Sequence, residues 1–151
     1  AISLCPSLRF IFRAFAPNIL VRISMNTGES RSFVMNSLLC YEDCSTCVAP
    51  RDVVFVSGGF MKFDWDDIHM GVVCSIDTKR DFAVMKHPQM LYPRTKHATV
   101  YHQGYIYAID YSTSERYHLN SGKWEQIPSL LKYCYGMCLT VIESTSSLYA
   151  C

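Results

Sequence analysis

The sequence has neither a long apolar run nor an excess of one charge sign. A membrane-spanning helix needs about 18 or more consecutive apolar residues, and no stretch of the chain supplies them. The 14 Lys and Arg residues nearly balance the 13 Asp and Glu residues, whereas broad surfaces for nucleic acid or anionic membranes are strongly basic. We therefore predict neither a membrane nor a nucleic acid as a partner.

The sequence also lacks the short motifs that mark common catalytic sites. It contains no G-x-S-x-G nucleophile elbow, no G-x-G-x-x-G fingerprint and no phosphate-binding loop. The tyrosines are spread over strand-like positions and do not single out the tyrosine, cysteine and histidine array of a copper site. We predict that the chain is not an enzyme and that it holds no cofactor and no metal.

Helix signals and targeting signals are equally scarce. No long apolar period near 3.6 residues occurs, which favours strands over helices. Arg9 and Arg13 interrupt the apolar N-terminal stretch, so it is not predicted to be a signal segment. The 8 cysteines are scattered, and Cys74 and Cys138 lie in strand-like runs, which is typical of reduced thiols. We expect an intracellular location, either cytoplasmic or cytoskeletal.

One turn-and-strand pattern occurs three times. It appears as SMNTGESRSF from Ser24, as SIDTKRDF from Ser75 and as HLNSGKWEQIP from His118. Each copy places Asn or Asp before Thr or Ser and then an aromatic residue, and the copies recur at intervals of roughly 40 to 50 residues. Asn, Ser and Gly favour turns, and the flanking aromatic and branched residues favour strands. A repeat of this length made of strands and turns indicates a radial or stacked array.

The order of the motifs resembles the kelch repeat, which forms one four-stranded blade of a β-propeller. VFVSGG ends in the double glycine Gly58 and Gly59, NSGKW supplies a turn followed by Trp124, and PQMLYPRTKH supplies Arg94 and His97. The resemblance covers nearly the whole chain. It implies that these five residues are structural and that Arg94 and His97 tie neighbouring blades together.

The fold implied by the resemblance is all-β, a partial propeller that takes up residues 1–151. We expect repeat units at about 8–50, 52–103 and 104–145, with the start of a further blade at 146–151. A closed propeller has typically 4–8 blades, so an incomplete ring is expected. The chain is then either a fragment of a longer propeller or a subunit whose open edges another subunit covers.

The units differ at the positions that define the motif. The double glycine is replaced by Asp110 and Tyr111 in the third unit and by Ala14 and Phe15 in the first. The Arg94 and His97 positions hold Glu42 and Ser45 in the first unit, and Cys134 and Met137 in the third. Any ligand role of these positions in the family therefore does not carry over to this chain.

The second unit contains an insertion, FMKFDWDDIHM, directly after the double glycine, where the third unit has only YSTS. Insertions in repeat proteins lie in loops on one face, often the binding face. We predict a partner-binding loop with Trp65 as an aromatic anchor and carboxylates that meet a basic partner. Its residues are Phe63, Asp64, Trp65, Asp66 and Asp67. The loop lacks the glycine and distal glutamate of an EF-hand, so a calcium site is not favoured.

Three cysteines, Cys40, Cys44 and Cys47, form a C-x3-C-x2-C pattern that could be part of a zinc site. A fourth ligand is not evident, because His69 or His87 would have to fold back to reach them. Loop and core cysteines are the favoured interpretation, and zinc binding stays open at this point.

The resemblance implies a function in protein binding, because kelch propellers mostly bind other proteins through loops on one face. We expect a non-enzymatic interaction or scaffold module that is one subunit of a larger intracellular complex. A cytoskeletal assembly is one candidate for this complex. One alternative is the substrate-recognition part of a ubiquitin ligase adaptor. Another is a propeller-type enzyme, such as a copper oxidase or a hydrolase of the sialidase type.

Overall fold

The structure, a computed structural model, describes residues 3–4, 10–15, 18–35, 41–130, 137–145 and 147–150. This part of the chain consists of strands, turns and two short 3-10 segments, Pro50–Asp52 and Glu143–Thr145, and contains no α-helix. The predicted all-β class is confirmed. None of the sheets formed by these residues closes on itself.

The first sheet has four antiparallel strands in chain order. They are β1 (Ser3–Leu4), β2 (Phe10–Phe15), β3 (Ile19–Ser24) and β4 (Ser30–Val34). The turn between β3 and β4 is the predicted Asn-Thr-Gly turn, and Gly28 adopts the left-handed φ of 73° that glycine favours.

The second sheet also has four antiparallel strands, and a separate two-stranded hairpin is inserted between its second and third strands. The six strands are β5 (Ser45–Ala49), β6 (Val53–Ser57), β7 (Phe60–Phe63), β8 (Asp66–His69), β9 (Val73–Asp77) and β10 (Ala83–His87). β7 and β8 form the hairpin, which is the predicted insertion. Strand pairing within the insertion was not predicted.

The third sheet repeats the four-stranded order, and a two-stranded sheet follows it. The strands are β11 (Ala98–His102), β12 (Tyr105–Ile109), β13 (Ser114–His118), β14 (Lys123–Ile127), β15 (Leu139–Ile142) and β16 (Ser147–Ala150). β11 belongs to the predicted 52–103 unit, yet it pairs with β12 along its full length. β5 pairs with β6 in the same way, so each sheet begins one strand before the corresponding sequence unit.

Neighbouring sheets bury their apolar faces against each other. Leu20 of the first sheet packs with Val54 and Ile76 of the second, while Phe55 of the second sheet packs with Ile106 of the third. A smaller cluster joins the third sheet to β15 and β16. The second sheet is therefore covered on both faces, which explains why its strands contain continuous apolar runs instead of an alternating pattern.

The double glycine at the end of β6 lies against another part of the backbone. A Cβ atom on Gly58 would stand 2.5 Å from the carbonyl oxygen of Arg94 and 2.6 Å from Cε1 of His97. A Cβ atom on Gly59 would stand 2.7 Å from the carbonyl oxygen of Glu42. Both glycines also have left-handed φ values, 61° and 101°. Only glycine meets the steric and the conformational requirement together.

We predict that Gly58→Ala lowers the free energy of unfolding more than Gly28→Ala does. Both positions have a left-handed φ, but no atom lies within 4 Å of a Cβ built on Gly28. Gly28→Ala should cost about 1–2 kcal/mol through its φ alone, whereas Gly58→Ala adds an overpacking cost of about 1–3 kcal/mol. Urea unfolding of both variants measures the difference, and equal losses would contradict the close approach at Gly58.

Candidate functional site

The inserted hairpin places the five predicted binding residues side by side at its tip. Phe63 pairs with Asp66 across the two strands, and Asp64 and Trp65 form the turn between them. Asp64 has a left-handed φ of 54°, which Asp tolerates better than most residues. The tip is therefore a tight two-residue turn in which Asp64 suits the backbone conformation, whereas Trp65 is not a residue that such turns favour.

The base of the hairpin is fixed to the second sheet and to the segment that precedes β5. Phe60 is buried, its N–H donates to the carbonyl of Glu42 at 2.8 Å, and the N–H of Glu42 donates back at 3.2 Å. The N–H of Met70 donates to the carbonyl of Gly59 at 2.8 Å. Because both ends of the hairpin are held by backbone hydrogen bonds, its direction is set by the scaffold.

Beyond Phe60 the hairpin is exposed on both faces, from Met61 to His69. The Trp65 side chain has a relative exposure of 101%, and Phe63 has 62%. None of the ion pairs among the described residues involves Asp64, Asp66 or Asp67. The tip therefore presents aromatic surface and a net negative charge to the solvent, since Lys62, which pairs in register with Asp67, is a single cation beside three carboxylates.

The Arg94 side chain lies inside the protein, not on a surface. Its Nη2 donates to Oε1 of Glu115 at 2.5 Å, and its Nη1 donates to the carbonyls of Ala108 and Thr113 at 3.1 and 3.2 Å. Nη1 also lies 3.5 Å from Oδ2 of Asp110. The guanidinium group thus joins the 88–97 segment to strands β12 and β13 of the third sheet.

The two carboxylates that face Arg94 hold the neighbouring loops. Oε2 of the fully buried Glu115 accepts the N–H of Leu91 at 2.8 Å. Oδ1 of Asp110 accepts the N–H groups of Ser112 and Thr113 at 2.7 and 2.8 Å. Burial favours a higher pKa for Asp110, but these hydrogen bonds and the Arg94 charge outweigh it and lower the pKa.

Asp110 was noted in the sequence because it occupies the repeat position that Gly58 occupies in the second unit. Glu115 was missed. It lies in the strand-like segment SERYHL, where an acidic residue is normally expected to face the solvent. Only a pairing with Arg94, 21 residues away, explains its burial.

His97 is buried beside the double glycine. Its Nε2 lies 2.9 Å from Oγ of Ser57. Burial, assisted by the nearby Arg94 charge, lowers the pKa of His97 to about 3. The imidazole is therefore neutral near pH 7 and unsuited to acid–base exchange with solvent at that pH.

Trp124 and His87 join the second and third sheets through an aromatic contact. Nε1 of Trp124 donates to the carbonyl of Pro88 at 3.0 Å, and its ring centroid lies 5.2 Å from that of Tyr117. His87 is within hydrogen-bond distance of Oγ of Ser75, at 2.7 Å, and of the Tyr117 hydroxyl, at 3.2 Å. Like Arg94, these groups connect the sheets.

The cysteine pattern is only partly visible, because Cys40 lies outside the described residues. Cys44 and Cys47 are buried and form no disulfide. Burial raises the pKa of Cys47 to about 12 against a smaller opposing effect of a hydrogen bond with Thr99. Among the residues that the structure describes, no group of three or more His, Cys, Asp or Glu side chains is arranged to hold a metal ion.

In comparisons with known proteins, no protein-family model matches the sequence, and a search of curated proteins finds no match either. No helix in the described part of the chain has the length and apolar character needed to cross a membrane.

We predict that the free energy of unfolding falls as the pH is lowered from 6.5 to 5, and that His97→Gln reduces this fall. The unfolded chain binds a proton at His97 near pH 6.5, whereas the folded chain resists it down to about pH 3. The stabilisation is complete above pH 6.5 and is lost as the pH decreases, by up to about 1.4 kcal/mol per pH unit.

Urea unfolding at several pH values measures this dependence in the wild type and the variant. His87, whose pKa burial also lowers, remains in both proteins, so the variant should retain a shallower slope. Identical slopes would contradict a neutral, buried His97.

Proposed function

We propose that this chain is part of a kelch-like β-propeller that binds other proteins through the hairpin of β7 and β8, without catalysis. The observation that carries the proposal is the combination of an anchored base and a fully exposed Trp65 at the tip. Exposing an indole to water is unfavourable for a monomer, and tryptophan is among the residues most enriched at the energetic centres of protein interfaces.

The propeller part of the proposal is supported by the order of the sheets. Three successive sheets of four antiparallel strands follow one another along the chain. The first strands of neighbouring sheets also lie against each other, because β1 contacts β5, β5 contacts β11 and β11 contacts β15. Oγ of Ser45 on β5 lies 2.8 Å from Oγ1 of Thr99 on β11. Such a row of first strands is expected where blades surround a common axis.

The non-enzymatic part is supported by the positions of the polar residues that a catalytic reading would use. Arg94 and His97 are buried and bonded to the scaffold. Their hydrogen bonds explain the structure of the loops around them and leave neither side chain at a surface where a substrate could reach it. The alternatives of an oxidase or a hydrolase receive no comparable support.

We predict that Trp65→Ala weakens partner binding by roughly 2 kcal/mol or more, which is about a 30-fold rise in Kd. The partner is first identified by placing a photoreactive benzoylphenylalanine at position 61, which is exposed on the hairpin and leaves Trp65 in place. Cross-linking in cells is followed by mass spectrometry of the products. The affinity of the partner for the wild type and the variant is then measured by calorimetry.

Tyr149→Ala is the matched control, because Tyr149 is an exposed aromatic residue on β16, in a different sheet from the hairpin. Both variants should unfold within about 0.5 kcal/mol of the wild type, since neither residue is buried. An unchanged Kd for Trp65→Ala would remove the hairpin from the binding function.

A further inference from the structure

The hairpin shares one end of the sheets with two other connections. Antiparallel pairing places Ser57, Val73 and His87 at the same end of the second sheet, and residues 58–72 and 88–97 extend from there. In the third sheet, Ile109 and Ser114 are paired at the end near Ala98. The 110–113 loop therefore belongs to this same end, which we call the hairpin end.

Hydrogen bonds connect the three segments to one another. The N–H of Gly59 donates to the carbonyl of Arg94 at 2.9 Å, and the N–H of Arg94 donates to the carbonyl of Met70 at 3.2 Å. The N–H of Met90 donates to the carbonyl of Gly71 at 2.9 Å. On the other side, the Arg94 guanidinium group donates to the carbonyl of Thr113. The 88–97 segment thus lies between the hairpin base and the 110–113 loop.

Exposed apolar side chains are concentrated at the hairpin end. More than half of the large apolar side chains that stand exposed among the described residues belong to its three segments. They are Met61, Phe63, Trp65, Ile68, Leu91, Tyr92 and Tyr111. Tyr111 is 50% exposed and Leu91 is 52% exposed. A concentration of exposed apolar side chains of this kind favours an interaction site.

The opposite end of the sheets has a different character. Its turns carry paired charges: Lys79 lies 2.9 Å from Asp52, and Arg80 lies 3.6 Å from Asp77. Exposed ion pairs of this kind contribute little to stability, and the hairpin end has one of its own, between Lys96 and Asp43. The two ends therefore differ chiefly in their exposed apolar side chains, which favours the hairpin end as the site of binding.

The charge of the hairpin end indicates what kind of surface it would meet. Asp64, Asp66 and Asp67 take part in none of the ion pairs of the described residues, while Lys96 lies 3.8 Å from Asp43 and Arg94 is buried against Glu115. Lys62 is the remaining cation on the hairpin. A complementary partner supplies positive charge, and arginine in addition stacks on exposed aromatic rings.

We propose that the occupant of the hairpin end is a basic, arginine-bearing segment of another protein, bound across the hairpin tip and the side chains of Leu91, Tyr92 and Tyr111. This inference rests on the proposed binding function and on the basic partner predicted from the sequence, and it adds arginine as the cation and two further loops as part of the surface. The carboxylates of the hairpin contact the cationic groups, and the aromatic side chains cover the apolar part of the segment.

Selection of phage-displayed random 16-residue peptides on the folded chain provides the probe. The most enriched peptide is synthesised, and its Kd is measured by fluorescence polarisation at low and physiological salt. We expect the enriched peptides to combine Arg or Lys with apolar residues. Their affinity should fall by about tenfold or more when Asp66→Asn and Asp67→Asn are combined, and that variant should lose most of the salt dependence.

The two further loops are tested with the same peptide. Tyr92→Ser and Tyr111→Ser should each raise Kd by about fivefold or more, whereas Tyr149→Ser, on β16, should leave it unchanged. Thermal unfolding of every variant identifies losses that come from the fold. These substitutions leave in place the backbone N–H of Tyr92 that donates to Glu115.

The outcomes separate this inference from the proposed function. Enrichment of acidic or uncharged peptides, or an unchanged affinity of the Asp66→Asn/Asp67→Asn variant, overturns the basic partner. If Trp65→Ala abolishes binding while the Tyr92 and Tyr111 variants bind normally, the hairpin function stands and the wider surface is wrong. Peptide binding that is unchanged by Trp65→Ala contradicts both the proposed function of the hairpin and this inference. Self-association in sedimentation that disappears in the Asp66→Asn/Asp67→Asn variant makes a second copy of the chain the occupant, which overturns the inference.

Discussion

The buried ion pair between Arg94 and Glu115 is the interaction on which the arrangement of the hairpin end depends. Removing two charges from water costs several kcal/mol for each ion, and both side chains are almost completely buried. The cost is offset because Arg94 also donates to three carbonyl groups and Glu115 accepts two backbone N–H groups. A pair with so many additional hydrogen bonds defines a single geometry for the loops that it joins.

That geometry is transmitted to the hairpin through the backbone of Arg94. The carbonyl of Arg94 accepts the N–H of Gly59, and its N–H donates to Met70, so one residue contacts both ends of the hairpin base while its side chain reaches the third sheet. The exposed tip is consequently carried by two sheets at once. For the binding proposed above, this support would reduce the backbone entropy that the base of the hairpin loses when a partner is bound.

The sequence allowed some of this to be predicted. The all-β class and the turns follow from local patterns that recur along the chain, and the insertion was evident from a comparison of the units. The structural role of Gly58, Arg94 and His97 does not follow from a recurring pattern, because the other units lack these residues; it was implied by the resemblance to kelch repeats. Glu115 could not be predicted, because its burial depends on a contact between distant residues. The sheet to which β11 belongs could not be predicted either, because its sequence does not indicate which strand it pairs with. In the structure it pairs with β12 and so belongs to the third sheet.

A comparison of the second and third sheets shows why the insertion and the double glycine occur together. In the second sheet, the chain leaving β6 passes within van der Waals contact of the Arg94 and Glu42 carbonyls, a passage that only glycine permits, and it then extends into the hairpin. In the third sheet, Asp110 stands at the corresponding position and its carboxylate closes the loop within three residues by accepting the Ser112 and Thr113 N–H groups. The same carboxylate lies near the Arg94 guanidinium group. The same position in the two sheets is therefore occupied in two ways. Glycines allow the long connection after β6 to pass close to the neighbouring backbone. Asp110 closes the short connection after β12, and its carboxylate also lies near Arg94, which supports the base of the hairpin.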